Sequence, residues 1–294
     1  MARQRADNER PVVEELHFRS DNAFLCLLLN RRTKTIRVID FRAGALPAKR
    51  LFIQSVAHRE GIDKVIILVE KDEVSSWTRV GFVREGTVPG FYKRSDGHLV
   101  GCVIGDKTAS IEVDDQGQRL ADRTVNAAKK AAKELARSHV ALRGVDMSVA
   151  AQARDQMWHR GHGLGSFDPF GRDALRLFLD VVPKRGKANY LSAEFQDCFG
   201  HSLIEVLRSP RSESDVVAVV EGLRSFSDEL RRRGIVSAFG FAPSEDVALS
   251  TAYVGSGFRK TGLLARGLQV GGKRSDAILW SKKLANPGEP DELS

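Results

Sequence analysis

Two stretches of this chain repeat one pattern at a long interval. Val80-Gly-Phe-Val-Arg-Glu-Gly86 and Ser256-Gly-Phe-Arg-Lys-Thr-Gly262 share a Gly-Phe step and a second glycine, and Gly81 and Gly257 stand 176 residues apart. Downstream, Lys93-Arg-Ser-Asp96 matches Lys273-Arg-Ser-Asp276, each ahead of an apolar run. Upstream, Arg59-Glu-Gly-Ile62 matches Arg232-Arg-Gly-Ile235, again each ahead of an apolar run. One shared tetrapeptide could arise by chance. The same order of helix end, Gly-Ile strand, short helix, Gly-Phe, glycine and last strand, met twice, points to a duplicated unit. A chain of 294 residues has room for two units of ordinary domain size.

The patterning fills in both units. In the first, 23–29 and 35–41 read as strands around a polar turn, and 46–60 as a helix with Pro47 in its first turn and Gly61 past its end. A β-branched strand over 64–70, a short helix over 71–80 and an antiparallel pair, 82–92 with 98–104, complete it. A long alanine-rich helix over 118–137 follows. It carries six basic residues (Arg119, Arg123, Lys129, Lys130, Lys133, Arg137) against Asp122 and Glu134, a net +4, and reads as the linker. The second unit begins with a helix over 147–159, a glycine-rich loop over 159–171 and a further helix near 172–181, then strands over 189–195 and 201–207. In 214–233 the residues Val216, Val219, Val220, Leu223, Phe226 and Leu230 fall on one helical face. Ser212 with Asp215 makes a capping box at its start. A strand over 235–241, a short helix over 245–255 and strands over 262–270 and 277–284 close the unit. The expected fold class is α/β: two units with mixed, mostly antiparallel sheets flanked by helices, joined by a long basic helix. The expected divisions are a first unit over 10–106, a linker over 107–140, a second unit over 141–285 and a disordered tail over 286–294.

One segment of the second unit resembles a known family. Glu245-Asp-Val-Ala-Leu-Ser-Thr-Ala-Tyr253-Val-Gly-Ser-Gly-Phe258, then Gly262 and Ile278-Leu-Trp-Ser-Lys-Lys-Leu284, is similar to the C-terminal half of a domain of the GNAT superfamily of N-acetyltransferases. The resemblance covers 210–284 well and 45–104 less fully. It implies acetyl-CoA as cofactor and N-acyl transfer to an amine, on a small molecule or a protein, carried out by the second unit. It casts Tyr253 as the acid that protonates the departing thiolate, and Glu205 or Glu194 as the base for the amine. The first unit has Trp77 where the second has Tyr253, and an indole cannot donate a proton in that way. Cofactor phosphates would meet the loop at 208–215, through Arg208, Ser209, Arg211, Ser212 and Ser214 at the helix N-terminus. That loop has no glycine, and Glu213 and Asp215 place negative charge where phosphates would lie. The matching loop of the first unit, 42–50, has Gly44, Lys49 and Arg50 and reads as the better anion cradle. These departures keep an alternative open: a catalytically degenerate pair serving as a binding or regulatory scaffold for a protein partner. An aminoacyl transferase using charged tRNA is compatible with the charge but has no motif behind it.

Composition limits the other classes. The formal charge of +8 suits an anionic partner without naming one. The apolar side of the basic helix is mostly alanine with no interleaved aromatics, which argues against base stacking or membrane insertion, so nucleic acid is not expected as a partner. No apolar run reaches 18 residues, so no membrane span is expected. The opening MARQRADNERP lacks an apolar segment behind its charges and does not read as a secretory leader. Three widely spaced cysteines, Cys26, Cys102 and Cys198, fit a reduced, cytoplasmic setting. His159-Arg-Gly-His162 has ligand-like spacing, with Asp168 and Cys198 as conceivable partners, but there is no second paired motif and no metal is expected. Oligomeric state is left open.

Overall fold

The structure, a computed structural model, describes residues 10–20, 23–41, 46–105, 111–136, 139–196 and 200–285. Arg42, Gly44, Arg137, Cys198 and the 286–294 tail lie outside these residues.

Strands β1 (Val13–Ser20), β2 (Ala23–Asn30) and β3 (Thr35–Phe41) form an antiparallel meander. Helix α1 (Leu46–Glu60) crosses over to β4 (Lys64–Val69), which lies parallel to β3. Helix α2 (Val74–Arg79) and the antiparallel strands β5 (Val83–Val88) and β6 (Gly97–Val103) complete the first half. Helix α3 (Asp115–Glu134) is capped by Asp114, whose carboxylate accepts from the Gly117 amide at 2.7 Å. The second half runs β7 (Val140–Gly144), α4 (Met147–His159), β8 (Leu175–Pro183), β9 (Asn189–Phe195), β10 (His201–Val206), α5 (Glu213–Arg232), β11 (Ser237–Pro243), α6 (Val247–Gly255), β12 (Arg259–Val270) and β13 (Lys273–Lys283).

The order of strands in space is β1-β2-β3-β4-β6-β5-β12-β13-β11-β10-β9-β8-β7. From β2 to β6 and from β9 to β13 the two halves follow the same path: antiparallel pair, crossover helix, parallel strand, short helix, antiparallel hairpin. The repeat read from sequence is thus a repeat of topology. The two sheets do not merely pack. They merge into one 13-stranded sheet through a single antiparallel pairing, Gly86 with Gly262. These are the second glycines of the two matching motifs. A Cβ on Gly262 would lie 2.6 Å from Gly86 Cα, and one on Gly86 would lie 2.9 Å from Gly262 Cα. Only the absence of side chains lets the backbones meet here. Beside the seam, Lys64 Nζ donates to Glu85 Oε1 at 2.5 Å and to the Ala265 carbonyl at 2.8 Å, while the Ala265 amide donates to the same carboxylate at 3.0 Å. Both side chains are buried; desolvation pushes Lys64 down and Glu85 up from their ordinary pKa values.

One expectation is corrected. The segment 172–181 is not a helix: strand β8 occupies 175–183. Its composition suits a helix, but Leu177, Leu179 and Val181 alternate with polar or half-exposed residues at period two, and that alternation packs Leu179 and Val181 under α5. Strands β1 and β7, at the two edges of the sheet, add to the sequence reading. Three cores result. One lies between the sheet and α1 in the first half, and one between the sheet and α5 and α6 in the second. The third mixes residues of both halves, among them Ile66, Leu68 and Leu99 with Leu203, Phe239 and Leu279. No helix among the described residues is long and apolar enough to cross a membrane.

Candidate functional site

In the second half β10 and β11 run parallel and pair only through His201–Ser237, Ser202–Ala238 and Leu203–Phe239. Beyond Leu203 the strands part. Phe239 and Phe241 face one side of β11, and Gly240 between them faces the other, toward α6. A Cβ on Gly240 would lie 2.3 Å from the Tyr253 hydroxyl and 2.6 Å from the Ile204 carbonyl oxygen. The missing side chain of Gly240 is therefore the room in which the Tyr253 hydroxyl sits, at the point where the strands separate. The ring is fully buried, stacked on Trp280 at 5.8 Å and edge-on to Phe258 at 5.3 Å. Its hydroxyl has no hydrogen-bond partner among the described residues. An orphaned buried hydroxyl costs roughly 1–3 kcal/mol, so it calls for an explanation. Burial, with smaller contributions from Glu205 and Asp246, pushes this phenol well above its ordinary pKa and keeps it protonated.

The two carboxylates lie on the opposite face and do not stand free. Glu205 Oε1 accepts from the amides of Ser166 at 2.9 Å and Phe167 at 3.3 Å, and its Oε2 accepts from Arg176 at 2.6 Å. Glu194 accepts from the amides of Phe170 at 2.9 Å and Gly171 at 2.7 Å, and from the other arm of Arg176. Arg176 is thus held, largely out of solvent, between two acids, and together they pin the 164–173 loop across the sheet. The same loop reaches the parted edge of β10: the Leu164 and Gly165 amides donate to the Leu207 and Val206 carbonyls at 2.8 and 3.0 Å. Sequence reading singled out Glu194 and Glu205 but missed Arg176, their shared partner, because it fell in the segment read as helix.

The 208–215 loop is tied down by the chain's own groups. Arg208 donates to the Lys187 carbonyl at 2.9 Å, Ser214 Oγ to the Arg185 carbonyl at 2.8 Å, and Ser209 Oγ to Asp246. Ser212 Oγ accepts from the Asp215 amide at 3.2 Å, as the capping box requires, while the Asp215 carboxylate takes the Arg211 amide at 3.1 Å. Asp215 is buried where free amides would otherwise face an anion. Around it, Lys184, Arg185, Lys187 and Arg211 are exposed. The Lys-Arg-Gly-Lys run at 184–187 is the signal that sequence reading passed over, since it becomes relevant only when the turn after β8 is brought beside the start of α5. Of the loop expected as a cradle in the first half, residues 42–45 lie outside the described residues; Lys49 is fully buried and desolvation lowers its pKa.

Tandem placement of the halves creates a cavity of about 910 Å³, counting its open mouth, next to the parted strands. Leu28, Ile36, Arg37 and Ile66 line it from the first half, and Trp158, Phe170, Leu203, Glu205, Phe241, Leu268 and Arg274 from the second. Tyr253 does not line it; its ring lies on the helix side of the sheet.

No family model matches the chain, and no curated protein sequence matches it. Solved structures do match. One is spermidine N-acetyltransferase from Vibrio cholerae in complex with CoA and spermine, at 10% identity and TM-score 0.39, covering 51% of this chain and 98% of that one. Another is an N-acetyltransferase from Staphylococcus aureus, at 10% identity and TM-score 0.38, covering 50% of this chain and 99% of that one. Each match spans about half of this chain.

Among the described residues one trio, Glu15, His17 and Cys26, brings metal-ligand atoms within 4.8 Å of one another. The Arg172 guanidinium already lies among them, 2.8 Å from Cys26 Sγ and 3.3 Å from Glu15. A cation fills that space.

Proposed function

We propose that the second half carries out N-acyl transfer from acetyl-CoA to an amine, with Tyr253 as the acid. The observation that carries this reading is the orphaned Tyr253 hydroxyl, buried over Gly240 where β10 and β11 part. A phenol that holds its proton in a dry seat at a strand opening is suited to protonate a departing thiolate. Acetyl-CoA, when bound, supplies the activated thioester. The fit at its phosphate end is through side chains rather than backbone amides: Asp215 takes up the amide position, and Lys184, Arg185, Lys187 and Arg211 provide the positive charge around it. The amine acceptor enters from the cavity between the halves. Glu205 and Glu194, saturated by amides and by Arg176, act in this scheme as positioning residues that hold the 164–173 loop and keep water from the opening. The main contribution to rate is then the placing of thioester and amine together, which supplies several kcal/mol, up to about 7–11 in well-oriented cases.

The alternative, a non-catalytic binding or regulatory pair, is favoured by one observation: the 208–215 loop and the β10 edge at Val206 and Leu207 are already occupied by the chain's own groups. Calorimetric titration with acetyl-CoA and CoA separates the two. Binding, with turnover of an amine panel that falls in Tyr253→Phe, supports the enzyme. Absence of heat at millimolar ligand leaves the scaffold.

A further inference from the structure

Among the charged groups that line the inter-half cavity, Arg37 has no part in the proposed reaction. Arg37 comes from β3 of the first half, the half in which Trp77 replaces the tyrosine. Its Nη1 donates to the Phe170 carbonyl, and its guanidinium lies over the Phe170 ring at 3.6 Å. These two contacts fix the plane of the fork. Its Nε has no hydrogen-bond partner among the described residues although it is shut off from solvent. No carboxylate lies within ion-pair distance of it among the described residues. Two neighbouring arginines differ: Arg274 pairs with Asp63 at 3.5 Å, and Arg32 with Asp168 at 3.1 Å. At this guanidinium desolvation outweighs the longer-range attraction of Glu194, so a further negative charge beside it would be favourable. A planar fork held in one orientation is the group that best recognises a carboxylate.

The rest of the cavity has a matching polarity. Its middle is apolar, with Leu28, Ile66, Phe241 and Leu268 in its walls. At β10 it borders Glu205, which with Glu194 shares the Arg176 guanidinium. We propose that this cavity takes an amine that also bears a carboxylate on a short apolar stem, with Arg37 binding the carboxylate and the ammonium lying toward Glu205. That the amine is an acyl acceptor rests on the acyl-transfer reading; its recognition by Arg37 does not. The first half would then be retained as the part that selects the substrate, having no acid of its own to react with it.

The test is calorimetric titration without acyl donor, with ε-aminocaproate, hexylamine and hexanoate as probes. The wild-type protein should bind ε-aminocaproate at least about tenfold more tightly than hexylamine, the order of effect for a charge-assisted hydrogen bond. Arg37→Gln should lose that preference while hexylamine binding is unchanged, and Arg37→Lys should keep part of it. Equal wild-type affinity for ε-aminocaproate and hexylamine, no binding of ε-aminocaproate, or a preference that survives in Arg37→Gln would overturn the proposal. The wild-type comparison decides the matter even if the variants do not fold. If acetyl-CoA fails to bind while the carboxylate preference stands, acyl transfer fails and this site remains.

Discussion

The two halves follow one path through space and differ at the seat where chemistry would occur. Aligned on Gly61-Ile62 and Gly234-Ile235, Ile67 of β4 corresponds to Gly240 of β11; aligned on the Gly-Phe steps, Trp77 corresponds to Tyr253. In the second half a glycine makes room for a phenol whose hydroxyl reaches the strand opening. In the first half a buried isoleucine stands at that position, the indole packs edge-on against Phe82 at 5.1 Å, and the parallel pairing runs one residue further, to Val38–Ile67. The first half is closed where the second is open. The two substitutions are coupled: an isoleucine at 240 would have no room beside Tyr253, and a tyrosine at 77 would find its place filled. Loss of the opening and loss of the acid are one change seen at two positions.

The largest expected effect concerns what the halves share, the seam. Glu85→Ala would leave Lys64 buried without its acid and should destabilise the protein by about 3–5 kcal/mol, read by denaturant unfolding. A loss under 1 kcal/mol would mean the seam does not depend on this pair. Next comes the seat. Gly240→Ala drives a Cβ into the Tyr253 hydroxyl and should cost about 1–3 kcal/mol, whereas Ile67→Val at the matching position should cost only about 0.5–1.5. Similar losses in the double variant Gly240→Ala/Tyr253→Phe and in Gly240→Ala alone would show that the hydroxyl is not what the glycine accommodates.

A pH experiment sharpens the same contrast. His201 opens β10 where Thr35 opens β3. Burial, then the charge of Arg37, pushes the His201 pKa down to about 3. The ring stacks on Phe91 at 3.6 Å, and Nδ1 lies 3.2 Å from the Phe91 carbonyl. Because the folded pKa lies below the unfolded one near 6.5, the unfolded chain takes the proton first. The stability from neutral His201 is complete above pH 6.5 and falls as pH drops toward 3, by roughly 2 kcal/mol between pH 7 and 5. His201→Phe should flatten that slope. An unchanged slope would assign it to other groups. The smallest effect belongs to the exposed ring around Asp215: Lys187→Glu or Arg211→Glu should weaken acetyl-CoA binding by up to about tenfold at low salt, and less at high salt, as surface charges do. Salt-independent affinity would place the phosphates elsewhere.

Much of this fold was legible because local signals agreed with tertiary need. The boundaries of α1 follow from Pro47 and Gly61, and those of α5 from Ser212 and its apolar face. The paired Gly-Phe-x-x-x-Gly stretches disclosed the duplication. Their deeper role did not appear, since nothing local says that Gly86 and Gly262 meet each other. The 172–181 segment misled because leucines and arginine suit a helix, and only packing beneath α5 selects the strand. At the site, Tyr253 and the acids stood out by type and position, but whether a carboxylate is free or saturated depends on loop amides far off in sequence. Arg37 carried no signal at all in β3; its meaning comes from a cavity that the first half cannot form alone.

The Tyr253 seat is where acyl transfer by the second half is tested most directly. Initial rates of acetyl-CoA consumption with an acceptor that the wild-type protein turns over, measured for wild type, Tyr253→Phe and Trp77→Phe, test it. The predicted result is a fall of about 10²-fold or more for Tyr253→Phe with acetyl-CoA affinity retained, and wild-type rates for Trp77→Phe. Equal rates in wild type and Tyr253→Phe would contradict it.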